Sequence, residues 1–233
     1  RLEYRGYDSE GLALFDERSG LYVECAAGKV EQLASRIEGT LPPAAAGIGH
    51  TRWATHGGAT DANAHPHLDP AGRVAVVHNG IIENFRDLRT ELAADGYVQE
   101  SETDTETIVL LVKRAMDRGA SPVDAARDTL AHLHGAFALC FLFDGEDDLM
   151  IAARKGSPLA LGWGDGEMFV GSDAIALAPM TDRITYLEEG DHAFVTRSGA
   201  EIFDREGRPA NREIQKINID QTRIEKGGYK HFM

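Results

Sequence analysis

The chain has 233 residues, enough for one large domain or two small ones, and its 42% hydrophobic content is typical of a folded globule rather than a disordered segment. With 38 acidic against 24 basic residues the net charge is −14, which argues against a nucleic-acid partner because no basic stripe is available to contact phosphates. No apolar run is long enough to span a membrane, and the two cysteines, Cys25 and Cys140, lie in apolar segments, so we expect a cytoplasmic protein without a membrane partner or a disulfide.

In chain order, the first part of the sequence predicts a helix end, a hairpin and a helix. Residues 1–6 have the pattern of a last helical turn that ends at a glycine. The apolar runs 11–15 and 21–25 flank a polar turn, which predicts a β-hairpin. Apolar residues spaced i, i+3, i+4, i+7 then predict an amphipathic helix over residues 29–38.

The middle of the sequence predicts one buried strand and three helices. The strand covers residues 74–77 and is expected to end at His78. The helices are expected to begin after Asn84, after Thr103, which starts a capping-box pattern, and at Pro122, since proline is tolerated in the first helical turn.

The second half predicts almost only strands, and these define the fold class. The turns between them are too short for crossover helices, so the strands should be antiparallel. Strands that are apolar on both faces must be covered on both sides, which predicts an α+β protein with sheet stacked on sheet and helices outside. The predicted strands cover residues 136–143, 149–154, 159–162, 168–171, 184–187 and 191–196, and a further hairpin is expected after residue 201.

The segment 49–58, GHTRWATHGG, combines a cation, an indole, two imidazoles and two terminal glycines, which predicts a loop that closes over a small polar ligand. Its Arg52 presents a planar fork of donors suited to a carboxylate. Asp104 could neutralise an ammonium group, although an aspartate at a helix start is also stabilised by the exposed helix amides. Together, Arg52 and Asp104 predict a clamp for the two charged groups of an amino acid.

Asn79 and Gly80 directly follow the predicted buried strand. A side-chain amide and a glycine N–H at such a position can form an oxyanion hole. The alternative is a tight turn, because Asn-Gly is a common hairpin dipeptide, but residues 81–82 do not continue as a hairpin would.

A metal-dependent hydrolase is the rival hypothesis, since five of the nine histidines fall between His50 and His78. None of their spacings matches a strong metal motif, so we expect no metal and no other cofactor. A nucleophile is harder to find. Cys25 and Cys140 have the character of small buried core residues, and no Gly-x-Ser-x-Gly elbow occurs.

Seven segments in chain order carry a family resemblance. They are LEYRGYDS at 2–9, GHTRWATHG at 49–57, NAHPH at 63–67, HNGIIEN at 78–84, SETDTE at 101–106, LEEGD at 187–191 and KGGYKHFM at 226–233. Together they resemble the glutaminase domain of the glutamine–fructose-6-phosphate aminotransferases, within the class II glutamine amidotransferase family, and the resemblance covers the whole chain. It implies the four-layer αββα sandwich of the N-terminal-nucleophile hydrolases, and hydrolysis of the glutamine amide to supply ammonia for making glucosamine 6-phosphate from fructose 6-phosphate.

The resemblance also implies roles for particular residues. L-Glutamine would be held through its α-carboxylate by Arg52, with help from Thr55 and His56, and through its α-amine by Asp104. Asn79 and the amide of Gly80 would stabilise the oxyanion. Finally, Trp53 resembles the residue that gates the passage of ammonia.

One departure concerns the nucleophile. The family uses a cysteine at the mature N-terminus, activated by its own α-amine, and in the family this cysteine lies upstream of the motif in which the present sequence begins. We therefore expect a glutaminase domain over 1–220 without its nucleophile, then the start of a linker at 221–233 to an isomerase domain, and a homodimer for the full-length protein. The chain alone is expected to be inactive, and a catalytically silent glutamine-binding module remains the alternative.

Overall fold

The computed structural model describes residues 7–217. The predicted helix end at 1–6 and the predicted linker at 221–233 lie outside the described residues. The strands are β1 Ser9–Asp16, β2 Gly20–Ala27, β3 Ala46–Arg52, β4 His67–Leu68, β5 Val74–Ile82, β6 Gly135–Phe143, β7 Met150–Lys155, β8 Ala160–Trp163, β9 Met168–Gly171, β10 Arg183–Tyr186, β11 His192–Thr196, β12 Gly199–Phe203 and β13 Gln215–Lys216. The α-helices are α1 Val30–Ile37, α2 Phe85–Ala94, α3 Asp104–Asp117, α4 Pro122–His132 and α5 Ala174–Leu177.

The strands form three antiparallel sheets. The largest has six strands in the order β12-β11-β7-β6-β5-β4, and the others have the orders β2-β1-β3 and β13-β10-β8-β9. Every strand pair within residues 7–217 is antiparallel, as predicted. Short turns join five of the ten strand pairs, and such connections allow only antiparallel pairing.

The six-stranded sheet lies between helices on one face and the two smaller sheets on the other. Helices α2, α3 and α4 cover the first face, and strands β1, β3 and β8 contribute side chains against the second. Alternate residues of β6 follow this division: Phe137, Leu139, Phe141 and Phe143 belong to the helix side, and Ala138, Cys140 and Leu142 to the sheet side.

The layered packing confirms the predicted α+β sandwich. Helix α1 packs against β2 and β1, and α5 against β9. Phe141 and Phe143 are fully buried, and burying a side chain of this size contributes about 1.5–3 kcal/mol, so β6 is a main source of core stability. The layer opposite the six-stranded sheet is divided into two sheets, and the sequence did not predict this division.

The predicted start of the loop 49–58 and one predicted strand end are wrong. Strand β3 occupies the first part of that predicted loop, as far as Arg52, because its backbone pairs with β1 up to Ser9. Strand β5 does not end at His78 but runs to Ile82, paired with β6 as far as Gly135. Backbone pairing therefore outweighs the polar side-chain pattern at both ends.

The starts of α1, α2, α3 and α4 fall within one residue of their predicted positions, whereas α5 was not predicted, and two capping details differ. Thr103 accepts a hydrogen bond from the Glu106 backbone N–H at 3.3 Å, whereas the Glu106 carboxylate accepts from the amides of Glu100 and Ser101 instead of closing a reciprocal capping box. Asn84 makes no side-chain cap, and its amide group instead joins α2 to the segment after α4.

The helices of the described residues 7–217 include none long and apolar enough to cross a membrane.

Candidate active site

A cleft of about 940 Å³ opens between the two smaller sheets, above the six-stranded sheet. Its walls include β3, the edge strand of one small sheet, and β9, the edge strand of the other, and its floor includes β5 and β6. The structure brings all seven residues singled out from the sequence to this cleft, namely Arg52, Trp53, Thr55, His56, Asn79, Gly80 and Asp104.

Arg52 lies at the end of β3 and is only 4% exposed. Its guanidinium donates to the carbonyl oxygen of Gly58 at 3.1 Å and to that of His56, so it folds the following loop around itself. Burial lowers the pKa of Arg52, while the charge of nearby carboxylates, including Asp104, counteracts this. An arginine remains a cation under such a shift. Arg52 is therefore a buried positive charge at the wall of the cleft.

Asp104 is the first residue of α3 and is also 4% exposed. Its Oδ2 accepts a hydrogen bond from the Ile82 backbone N–H at 2.7 Å, across to strand β5. The helix cap is supplied by Thr103 instead. The side-chain hydrogen bond of Asp104 thus joins β5 to α3 and holds the carboxylate at the cleft. Capping of the helix start does not explain this carboxylate, because Thr103 already supplies the cap.

Asn79 and Gly80 lie within the β5–β6 ladder, paired with Ala138 and Phe137, so the tight-turn alternative is wrong. Gly80 has φ +124°, and a Cβ at this position would lie 2.0 Å from the Ala136 carbonyl oxygen, so only glycine fits. The side-chain oxygen of Asn79 accepts a hydrogen bond from His50 Nε2 at 2.8 Å.

The loop that follows β3 is fixed at both ends by residues that the sequence did not single out. At its start, Asp8 Oδ2 accepts from the Ala54 backbone N–H at 2.9 Å. At its far end, Glu102 Oε2 accepts from the Gly58 backbone N–H at 3.2 Å and from Asn63 Nδ2 at 3.0 Å. The segments SETDTE and NAHPH contain Glu102 and Asn63, but the sequence alone does not show that they meet.

The remaining loop side chains differ in exposure. Trp53 is 59% exposed and packs edge-on against Tyr7, with ring centroids 5.4 Å apart. Thr55 is exposed, whereas His56 is partly buried and its ring packs edge-on against that of Phe85, with centroids 5.4 Å apart. The indole is therefore held at the surface of the loop, and His56 ties the loop to α2.

Four of the five clustered histidines, His50, His65, His67 and His78, pack together, and all of them except His67 line the cleft. Three of them bond to neighbouring polar side chains: His50 to Asn79, His78 to Thr105 at 2.9 Å and His67 to Thr103 at 2.8 Å. Burial and the neighbouring rings lower the pKa of His65, and burial is the first cause of the lowered pKa of His67, about 3.

A metal centre is not evident in this histidine cluster. Within residues 7–217, no group of three or more His, Cys, Asp or Glu side chains is placed to hold a metal ion. The ring nitrogens described above face hydroxyl and amide groups rather than the carboxylate or thiol groups that zinc sites commonly include.

Neither cysteine is suited to attack a substrate. Burial raises the pKa of both thiols to about 12, so almost none of either is thiolate at neutral pH. Cys140 lies in β6 at the floor of the cleft, and the Cys25 thiol donates to the Pro66 carbonyl oxygen at 3.7 Å.

Comparison with solved structures identifies the fold. The chain is similar to glutamine phosphoribosylpyrophosphate amidotransferase from B. subtilis, complexed with ADP and GMP, with a TM-score of 0.73, 24% identity, and coverage of 88% of this chain and 44% of the other. It is also similar to an allosteric regulatory enzyme of purine biosynthesis, with a TM-score of 0.74, 26% identity and the same coverage. The sandwich and its cleft thus define a fold of the N-terminal-nucleophile amidotransferase type.

Sequence comparison then gives the family. A glutamine amidotransferase domain profile matches residues 50–179, more than half of the chain. The chain belongs to the glutamine amidotransferase domain family. It is 54% identical, over its whole length, to the glutamine–fructose-6-phosphate aminotransferase (isomerizing) of Brucella suis biovar 1, and it spans 38% of that protein's length.

Proposed function

We propose that this chain is the glutaminase part of a glutamine–fructose-6-phosphate aminotransferase. In this function it hydrolyses the amide of L-glutamine, and the ammonia converts fructose 6-phosphate into glucosamine 6-phosphate. The observation that carries the proposal is that one cleft gathers a buried cation, a buried carboxylate and a side-chain amide next to an obligatory glycine.

The clamp for the amino acid would be formed by Arg52 and Asp104. The guanidinium has five N–H donors, of which the loop carbonyls use only a part, so donors remain for the α-carboxylate. Asp104 uses Oδ2 for the strand β5 amide, and its second oxygen can accept from the α-ammonium group. Thr55 and His56, on the loop that Arg52 folds, would complete the carboxylate side.

The amide carbonyl of glutamine would lie at Asn79 and Gly80. Attack by a thiolate on the amide carbon gives a tetrahedral intermediate whose oxygen carries negative charge. The Asn79 Nδ2 group and the Gly80 backbone N–H would donate to that oxygen. Ammonia leaves with a proton from the general base, and water then hydrolyses the thioester to glutamate.

The nucleophile would come from a segment that the described residues do not contain. Cys25 and Cys140 have raised pKa values and cannot supply it. The cleft, at about 940 Å³, lies at the upper end of the roughly 300–1,000 Å³ typical of small-molecule sites, so it has room for more than an amino acid. We infer that a strand bearing an N-terminal cysteine lies between the edges of β3 and β9, with its α-amine as the base.

The remaining features of the function are proposed together. Residues 1–220 would form the glutaminase domain, and residues 221–233 would begin a linker to a sugar-phosphate isomerase domain. Trp53, exposed on the loop, would gate ammonia towards that domain. We propose a cytoplasmic homodimer for the full-length protein.

The test is release of glutamate from glutamine by protein expressed from the natural start of its gene. Release that stops after treatment with a glutamine analogue that alkylates cysteine, together with a mass increase on a cysteine other than Cys25 and Cys140, is the expected result. An unreactive protein that still binds glutamine would instead support a catalytically silent glutamine-binding module, which the buried, high-pKa cysteines favour among the described residues.

A further inference from the structure

His50 makes a contact that the proposed roles do not use. It lies on β3, and its Nε2 is 2.8 Å from Oδ1 of Asn79 on β5. A carbonyl oxygen can only accept a hydrogen bond, so the His50 Nε2 atom must carry the proton. In the structure the Oδ1 end of the Asn79 amide therefore faces the histidine, with His50 as the donor.

The orientation of this amide decides what Asn79 can do. The two flips of a carboxamide have nearly the same shape, and the hydrogen-bond partners alone choose between them. With Oδ1 bound to His50, the Nδ2 group is left for the cleft, which Asn79 lines. The opposite flip would direct a carbonyl oxygen at a developing oxyanion and repel it.

The His50 ring is itself held in place. Its centroid is 4.5 Å from that of His65, which is 5% exposed. The His65 ring in turn lies 5.2 Å from that of His67 and 6.4 Å from that of His78.

These two outer histidines bond to Thr103 and Thr105, on either side of Asp104. The four packed histidines thus connect the Asn79 amide with the residues on either side of the Asp104 carboxylate.

We propose that His50 is a positioning residue that orients the Asn79 carboxamide, so that Nδ2 is presented to the negative oxygen formed in the reaction. The inference rests on the proposed glutaminase function. It predicts that losing the His50 donor slows turnover without weakening glutamine binding, because an oxyanion donor acts in the transition state.

The test is steady-state glutamate release by the full-length protein and its variants. His50→Leu, which is apolar and of similar size, should lower kcat roughly 10- to 100-fold with KM changed by less than about 3-fold. His50→Gln, whose side-chain amide can donate over a similar reach, should recover most of the loss. In an Asn79→Ala background, His50→Leu should cause no further loss, because the group it orients is gone.

Each result bears directly on the positioning role of His50. Wild-type kcat in His50→Leu, or a loss that multiplies with that of Asn79→Ala, would overturn it. If His50→Leu fails to fold, the polar variants His50→Gln and His50→Asn replace it. The side chain of Asn is too short to reach Oδ1 of Asn79, so His50→Asn should have the lower kcat. Equal kcat values in these two variants would overturn the inference. A wild-type protein that releases no glutamate would overturn the proposed function as well, whereas an active wild type with an unaffected His50→Leu overturns only this inference.

Discussion

Acidification from pH 8 to pH 5 should remove about 2 kcal/mol of unfolding free energy through His67 alone. Burial lowers the pKa of His67 from its ordinary 6.5 to about 3. At pH 5 the unfolded chain therefore binds a proton that the folded protein does not. The 1.5 pH units between 5 and 6.5, at about 1.36 kcal/mol each, give about 2 kcal/mol.

The sign follows from the direction of the shift. A histidine kept neutral by folding contributes its full stability above pH 6.5, and this is lost as pH falls from 6.5 towards the folded pKa of about 3. His65 and His78 also have pKa values lowered by burial, so they act in the same direction. Asp117, whose pKa is lowered to about 2, loses its contribution only below about pH 4, outside this window.

The assay is urea unfolding followed by circular dichroism at pH 8 and pH 5. His67→Gln keeps a side chain able to bond to Thr103 and does not titrate, so the loss between the two pH values should shrink by about 2 kcal/mol. His132→Gln is the matched control, because that side chain is 48% exposed on α4. The reasoning is refuted if His67→Gln loses as much stability as the wild type between pH 8 and pH 5.

Four further sets of changes test the site and its loop. Arg52→Ala and Asp104→Ala should each weaken glutamine binding roughly 100-fold or more, since either leaves a charge of the substrate unpaired in a desolvated site, and unchanged affinity in calorimetric titrations would contradict the clamp. Asn79→Ala should lower kcat roughly 10²-fold or more with little change in KM, and an equal loss in both would mean a structural role. Gly80→Ala should cost at least about 2 kcal/mol in urea unfolding, because its φ of +124° and a Cβ 2.0 Å from a backbone oxygen both oppose a side chain, and wild-type stability would rule this out. Glu102→Gln should make the segment after β3 exchange its amide hydrogens faster, since it weakens the hold on that loop, and unchanged exchange would contradict the anchor.

Local signals in the sequence were sufficient for four of the five α-helices and for most strands, but the short helix α5 was not predicted. Pro122 and Thr103 mark helix starts, and the apolar spacing of residues 29–38 identifies α1, because capping and periodicity depend only on neighbours within one or two turns. The predicted start of the loop 49–58 and the predicted end of β5 were wrong for the opposite reason. Each is set by backbone pairing with a strand that is distant in sequence, and polar side chains are tolerated where they face a cleft.

The candidate site residues could be singled out from the sequence because their side-chain chemistry is unusual for a core. Arg52 and Asp104 are buried charges, and Asn79 with Gly80 interrupts an apolar strand. Their supporting residues could not be found in the same way. Asp8 and Glu102 reach the loop from 46 and 44 residues away, and their local sequence carries no sign of this.

The histidine cluster illustrates how a composition signal can mislead. Several histidines close together in sequence suggest a metal site, yet in the structure three of them, His50, His67 and His78, bond to hydroxyls and an amide. The distinction depends on which groups face each ring nitrogen, and that is a tertiary property. The sequence shows how many histidines lie close together, but it does not show which groups their ring nitrogens bond to.

The two cysteines of the described residues 7–217, Cys25 and Cys140, add little background to chemical labelling. Maleimides and similar reagents react with thiolate, and a pKa of about 12 leaves Cys25 and Cys140 almost entirely as unreactive thiols near pH 7. In a protein whose proposed N-terminal cysteine is replaced by alanine, a cysteine on the exposed part of the loop, for example at Gly58, would therefore accept a fluorophore or spin label selectively. Distance measurements from that position could then follow the loop directly while substrate is added.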